Sequence, residues 1–242
     1  MKIAAVIPAR FQSSRFPGKP LAQIAGKTMI ERVYLQVQKA GCCSEIIVAT
    51  DDSRIVSEVS KFGGKAEMTD TTINSGTERV WAVLKKMNCD AVINIQGDEP
   101  LISDKLILQI YEVLNENIFD VVSAARFNQS YQDFCSKNVV KVVFDKDNQA
   151  LYFSRSPIPH CEKDPFEGFF QHIGIYGYTR KALEAYVNGE VAPMEKTEKL
   201  EQLRFLHHQQ KIAIIQTEYE SHGVDIPADI GKIETILRGS HA

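Results

Sequence analysis

Arg10, Arg15 and Lys19 fall within one loop, residues 8–20, with Ser13, Ser14 and Gly18 between them. Arginine offers forked, permanently charged donors that match phosphate oxygens, lysine offers a mobile point charge, and loop amides such as that of Ala9 add neutral donors. The loop therefore reads as an anion site, although a solvated basic turn is the plain alternative. Its spacing is neither the G-x-x-x-x-G-K-[ST] of a P-loop nor the G-x-G-x-x-G of a dinucleotide fold. A second set is acidic. Asp98, in Gln96-Gly97-Asp98-Glu99-Pro100, follows an apolar run, and Asp225, in Gly223-Val224-Asp225, follows another. Hard carboxylates at such places suit a magnesium ion bridging phosphate oxygens. Each could equally be a turn or cap residue, Asp98 for a helix near Ser103 and Asp225 for the last helix. Ser75-Gly76-Thr77-Glu78-Arg79 has the form of a turn entering a helix, with amides and a hydroxyl able to reach a base or ribose, or simply a cap. Arg155 ends the strand-like run Tyr152-Phe153-Ser154, a position that calls for an anionic partner.

These residues need a scaffold that gathers loops. Apolar β-branched runs at 3–7, 46–48 and 92–95 alternate with helical periodicity at 29–39, 55–62 and 106–114. That alternation predicts βαβ units, hence a doubly wound α/β fold with a mainly parallel sheet and ligands beyond the carboxyl ends of its strands. From about residue 120 the strand-like runs 121–122, 139–144, 151–153 and 173–178 lie close together, which predicts a smaller portion of mixed pairing up to about 210. Helices are expected at 180–187 and 196–209, a strand at 212–217 and a last helix from about Pro227. A chain of 242 residues suits one domain of this kind.

Composition narrows the classes further. Apolar residues make up 44% and charged residues 24%, an ordinary globular balance. The net charge of -3 gives no overall attraction to nucleic acid, and no run approaches the roughly 18 apolar residues of a membrane span. The start of the chain reads as a strand rather than a signal peptide, so a cytoplasmic location is expected. Cys42, Cys43, Cys89, Cys135 and Cys161 show neither C-x-x-C spacing nor a zinc pattern, and reduced thiols are expected. The adjacent His207 and His208 diverge around a helix and are read as structural.

The run I-P-A-R-x-x-S-S-R-x-P-G-K-P-L from Ile7 resembles the opening of the sugar-acid cytidylyltransferases, and within them the 3-deoxy-manno-octulosonate (Kdo) enzymes. Further blocks follow in the same order: Ala49-Thr50-Asp51-Asp52, Ser75-Gly76-Thr77-Glu78-Arg79, Asn94 to Pro100, Leu151 to Arg155, His172 to Tyr178, Glu198 to Arg204 and Gly223-Val224-Asp225. The resemblance implies a nucleotidyltransferase that joins CMP from CTP to the anomeric hydroxyl of Kdo, releasing pyrophosphate and serving lipopolysaccharide assembly. It implies Ala9, Arg10, Ser13, Arg15, Lys19, Ser75, Gly76 and Arg79 on the nucleotide. Gln96, Arg155, His172, Tyr176, Glu201 and Gln202 fall on the sugar acid, with Arg155 taking its carboxylate. Lys19, Asp98 and Asp225 are implied to be catalytic, the two aspartates holding Mg2+. A homodimer is implied as well. Ile73 stands where these enzymes usually carry His, so an 8-amino Kdo analogue is an alternative acceptor, as is sialate, although the sialate loop typically continues G-G-S-K.

Overall fold

The computed structural model describes residues 1–13, 15–73, 75–161 and 165–239. Ser14 of the basic loop and the last three residues of the tail lie outside them. The chain divides into two compact units, Met1–Tyr111 with the segment from Ser221 onward, and Glu112–Glu220.

The first unit is built on the expected alternation. Strand β1 (Ile3–Ala9) leads through the basic loop and a 3-10 turn (Lys19–Leu21) to a small hairpin, β2 (Gln23–Ile24) and β3 (Lys27–Thr28). Helix α1 (Met29–Ala40) follows, then β4 (Ile46–Thr50), α2 (Ser53–Lys61), β5 (Lys65–Met68), α3 (Gly76–Leu84), β6 (Ala91–Asn94) and α4 (Asp104–Asn115). α1 forms because Met29, Ile30, Val33 and Val37 put one apolar stripe into the core, while Thr28 accepts a bond from the Glu31 amide and Gly41 ends the helix in left-handed geometry. Four strands pair in parallel in the order β6-β1-β4-β5, with Ala5 opposite Ile46 and Ala4 opposite Val92. β1 reads as a continuous apolar run because its residues are buried on both faces.

In the second unit the pairing is mixed, as expected. It contains β7 (Val121–Asn128), α5 (Tyr131–Cys135), β8 (Lys141–Phe144), β9 (Ala150–Ser154), β10 (Phe169–Thr179), α6 (Arg180–Asn188), α7 (Pro193–Glu198), α8 (Gln202–His207) and β11 (Ile212–Gln216). β7 takes β11 in parallel on one side and β10 antiparallel on the other, and β8 pairs antiparallel with both β10 and β9. The helix expected at 196–209 is instead two short ones. Lys199 adopts left-handed geometry (φ 54°, ψ 49°) and breaks the run. The Glu198 side chain is meanwhile drawn to β9, accepting from Ser154 Oγ at 2.6 Å and from the Arg155 amide at 2.9 Å. The core here is an aromatic ladder, Tyr176 on Tyr178, Tyr178 on Phe205 and Phe205 on Tyr186. Arg204 caps it, 4.0 Å over the Tyr186 ring and bound through two nitrogens to buried Glu195. Helix α9 (Asp229–Gly239) returns the chain to the first unit. Among the described residues no helix is long and apolar enough to cross a membrane.

Candidate active-site residues

In the first unit, the carboxyl ends of β1 and β6 carry the basic loop and the Gln96-Gly97-Asp98 turn. Gly97 allows their close approach, because a Cβ there would stand 2.7 Å from the Pro8 carbonyl oxygen. The basic loop folds back on itself through a bond from the Gly18 amide to the Phe11 carbonyl, with Gly18 at φ 72°. Phe11 in turn lies under the Arg54 guanidinium at 3.3 Å, a cation-π contact that fastens the loop to α2. The result is a concavity of about 490 Å³ lined by Ala9, Arg10, Ser13, Arg15, Lys19, Gln96 and Asp98 among others. Five residues expected on the nucleotide thus meet Asp98 in one place. Gln96, expected on the sugar acid, joins them.

The two aspartates are also brought together. The Val224 amide donates to the Asp98 carbonyl at 2.9 Å, so Asp225 follows directly on a segment bonded to Asp98. Lys19 Nζ joins the two segments, 2.6 Å from Asp98 Oδ2 and 2.9 Å from the Val224 carbonyl. Arg15 grips Asp225 through two nitrogens, at 3.0 and 3.1 Å. Neither aspartate is a helix cap. Ser103 Oγ accepts from the Leu106 amide at the start of α4, and Asp229 accepts from the Asp225 and Ile226 amides before α9.

Ser75 and Arg79 take structural places. Ser75 Oγ accepts from the Glu78 amide as the cap of α3, and Gly76 packs near Pro8. Arg79 is fully buried and donates to Asp51 at 3.1 Å, to the Ile73 carbonyl at 2.8 Å and to Thr69 Oγ1. Burial pulls its guanidinium below the usual arginine range, and Asp51 opposes that shift. Asp51 was not singled out from sequence, yet its carboxylate also lies 3.5 Å from Arg10 Nε, tying the basic loop and the loop before α3 to one acid. The cue was the pair Asp51-Asp52 after a strand. Asp52 caps α2 while Asp51 turns inward.

In the second unit, Arg155 spends its guanidinium on backbone oxygens: the carbonyls of Glu198 at 2.8 Å, Lys137 at 3.0 Å and Lys199 at 3.4 Å. Lys141 braces the same corner from inside. It is fully buried and donates to the carbonyls of Ser136, Val139 and Arg155, and burial lowers its ammonium from the ordinary lysine value. Among the described residues no carboxylate pairs with the Arg155 guanidinium, so its positive charge is oriented without being neutralised.

His172 and Tyr176 sit on either side of an irregularity in β10, where the register against β7 shifts between Ile173 and Tyr176. In an unbroken strand, residues four apart would be separated by about 13 Å. Here the bulge brings the two rings to 5.4 Å. Ser123 holds the bulge, donating to the Ile175 carbonyl at 2.9 Å and lying 3.0 Å from His172 Nε2. Close packing pushes the imidazole down to about 3 and the Tyr176 hydroxyl up, so both are neutral hydrogen-bonding groups near pH 7. Glu201 contributes to the Tyr176 shift. The neighbouring Gln202 is buried, and its Nε2 has no hydrogen-bond partner among the described residues. A buried donor of this kind is costly unless an acceptor meets it.

Comparison with known proteins gives a consistent picture. A family model described as Cytidylyltransferase matches residues 4–212. The 3-deoxy-manno-octulosonate cytidylyltransferase of Desulfosudis oleivorans is 47% identical, covering 98% of each chain. The enzyme of that name from Geobacter metallireducens is 44% identical, covering 96% of each. A solved structure of a CMP:2-keto-3-deoxy-manno-octonic acid synthetase complexed with CTP superposes with a TM-score of 0.95 at 37% identity, over 99% of this chain and 100% of that one.

Proposed function

Because the chain belongs to the cytidylyltransferase family, we propose that it transfers CMP from CTP to the anomeric hydroxyl of Kdo, forming CMP-Kdo and pyrophosphate. The observation that carries this reading is near full-length likeness to enzymes named for Kdo, with the concavity of Arg10, Ser13, Arg15 and Lys19 at the strand ends where such a fold receives a nucleotide. The sugar hydroxyl oxygen attacks the α-phosphorus of CTP in line as the bond to the pyrophosphate oxygen breaks, and the hydroxyl proton is released to solvent or to the departing pyrophosphate. Acceleration comes from positioning and from cations fixed where negative charge develops.

Within this reading the basic loop takes the triphosphate. Lys19 and Arg15 already face anionic oxygens, those of Asp98 and Asp225, and phosphate oxygens are the same kind of partner. Asp98 and Asp225 together with phosphate oxygens fit magnesium, a hard ion that protein sites usually bind through one or two carboxylates. The ion, when bound, neutralises the triphosphate and the departing pyrophosphate. Ser75 and Gly76 serve the nucleoside through the start of α3, and Arg79 serves it through the shape of the loop it anchors.

For the sugar acid we assign Gln96, Arg155, His172, Tyr176, Glu201 and Gln202. Three features support this: the un-neutralised Arg155 charge, suited to a carboxylate; the neutral His172 and Tyr176 side by side; and the unsatisfied Gln202 amide, which a sugar hydroxyl would complete. The product serves lipopolysaccharide assembly, so the protein is placed in the cytoplasm, and it is assigned as a homodimer. Pyrophosphate release decides the chemistry. CTP with Kdo should support turnover far above ATP or GTP, and above CTP with sialate. Equal use of purine nucleotides would sink the assignment.

A further inference from the structure

We propose that Cys42 and Cys43 form a two-thiol site for a thiophilic trivalent metalloid, separate from the nucleotide residues. The two side chains of a consecutive pair normally diverge, yet here the sulfur atoms stand 3.9 Å apart. The pair lies between α1 and β4 on an anchored loop. Gly41 turns the chain in left-handed geometry just before it, and just after it both the amide and the hydroxyl of Ser44 donate to the Ile3 carbonyl, at 2.8 and 3.0 Å. Both thiols are half-buried and therefore reachable.

The geometry favours a one-atom bridge over a direct disulfide. Consecutive Cα atoms lie about 3.8 Å apart across a trans peptide, short of the roughly 4.4–6.8 Å that disulfides span. Closing the sulfurs to about 2.05 Å would also strain the peptide between them. A soft atom with bonds of about 2.3 Å to two sulfurs holds them about 3.8 Å apart at a tetrahedral angle, and closer at the narrower angle of a pyramidal trivalent centre. From 3.9 Å the sulfurs need close by only about half an ångström to suit such a centre, far less than a disulfide requires. A structural zinc ion would require four ligands. Among the described residues no cluster of three or more His, Cys, Asp or Glu side chains is placed to hold a metal ion, so the fitting ligand is one satisfied by two thiols. An aryl arsenoxide is of this class. Both S-H bonds and the arsenic-oxygen bond break, two arsenic-sulfur bonds form, and the two protons leave with the oxygen as water, with no change of oxidation state. The hydrogen bond to Cys42 and burial both raise the Cys43 thiol above its ordinary value, so Cys43 enters the reaction protonated.

The site lies at the amino end of β1, whereas the basic loop leaves its carboxyl end, about 20 Å away over seven residues. Occupancy should leave the nucleotide residues untouched. The test is intact mass spectrometry of the full chain after one equivalent of phenylarsine oxide. Expected is one phenylarsenic added per chain, resistant to excess monothiol and removed by a small dithiol. Either C42S or C43S should abolish the monothiol-resistant adduct, whereas C89S and C135S should keep it. Thermal unfolding of each variant would establish that it is folded. No stable adduct on wild type, or an adduct surviving in C42S or C43S, would overturn the proposal. The outcome is independent of which nucleotide or sugar the protein uses.

Discussion

Asp98 and Asp225 show how a residue's role is set by what surrounds it. At the start of α4 the cap bond is made by Ser103, and before α9 the Asp229 side chain holds the Asp225 amide, while the Asp98 and Asp225 carboxylates face Lys19 and Arg15. Asp98→Asn and Asp225→Asn should each remove nearly all turnover, because a neutral amide is a poor ligand for a hard ion beside a triphosphate. Near-normal activity at limiting magnesium in either variant would exclude that residue as a ligand. Arg155 makes a comparable case. Its carbonyl partners orient the guanidinium, and a bond from it to a substrate carboxylate would contribute about 1.5–3 kcal/mol. Arg155→Gln should therefore raise the KM for Kdo by roughly tenfold or more with little change for CTP, and Arg155→Lys should recover only part of the loss. A defect confined to CTP would instead assign Arg155 to the nucleotide.

Among the elements of the first unit, β4 contributes a joint as well as a strand. Asp51 at its end holds buried Arg79 from α3 and lies beside Arg10 of the basic loop, so one carboxylate sets two loops at once. Removing one partner of a buried ion pair costs about 3–5 kcal/mol, since the other charge is left uncompensated. Asp51→Asn should lower the unfolding midpoint and, in the protein that remains folded, raise the KM for CTP while the KM for Kdo stays nearly constant. A loss of stability with unchanged KM values would make Asp51 purely structural. The same joint commits the Arg79 guanidinium to Asp51, Thr69 and the Ile73 carbonyl. A basic residue after a Ser-Gly-Thr turn looks exposed to a ligand until the fold places an acid behind it.

For the molecule as a whole, the close packing of His172 links fold to pH. Its imidazole titrates at about 3 when folded and about 6.5 when unfolded. Between those values the unfolded chain binds a proton that the folded chain refuses. The contribution to stability is present in full above about pH 6.5 and is lost progressively as pH falls toward 3. Denaturant midpoints measured from pH 7.5 to pH 4.5 should fall, and His172→Gln should flatten that slope relative to wild type. Equal slopes in the two proteins would mean that His172 is as readily protonated in the folded chain as in the unfolded one.

Local order was legible in the chain itself. β1, α1, β4, α2, β6 and α4 follow from apolar periodicity, and the basic loop from composition, because these depend on neighbours a few residues apart. The collinear motifs were enough to indicate the family. Contacts over long sequence separations were decided only in the folded chain. The Cys42 and Cys43 sulfurs stand 3.9 Å apart on a loop that Ser44 ties to the Ile3 carbonyl, 41 residues away in sequence. The predicted single helix at 196–209 breaks because Glu198 is claimed by β9. Arg15 and Asp225, 210 residues apart, meet because the Val224 amide finds the Asp98 carbonyl. A side chain's type sets what bonds it can make, but which partner it meets is settled by packing, since each buried polar group must be satisfied where the chain has put it.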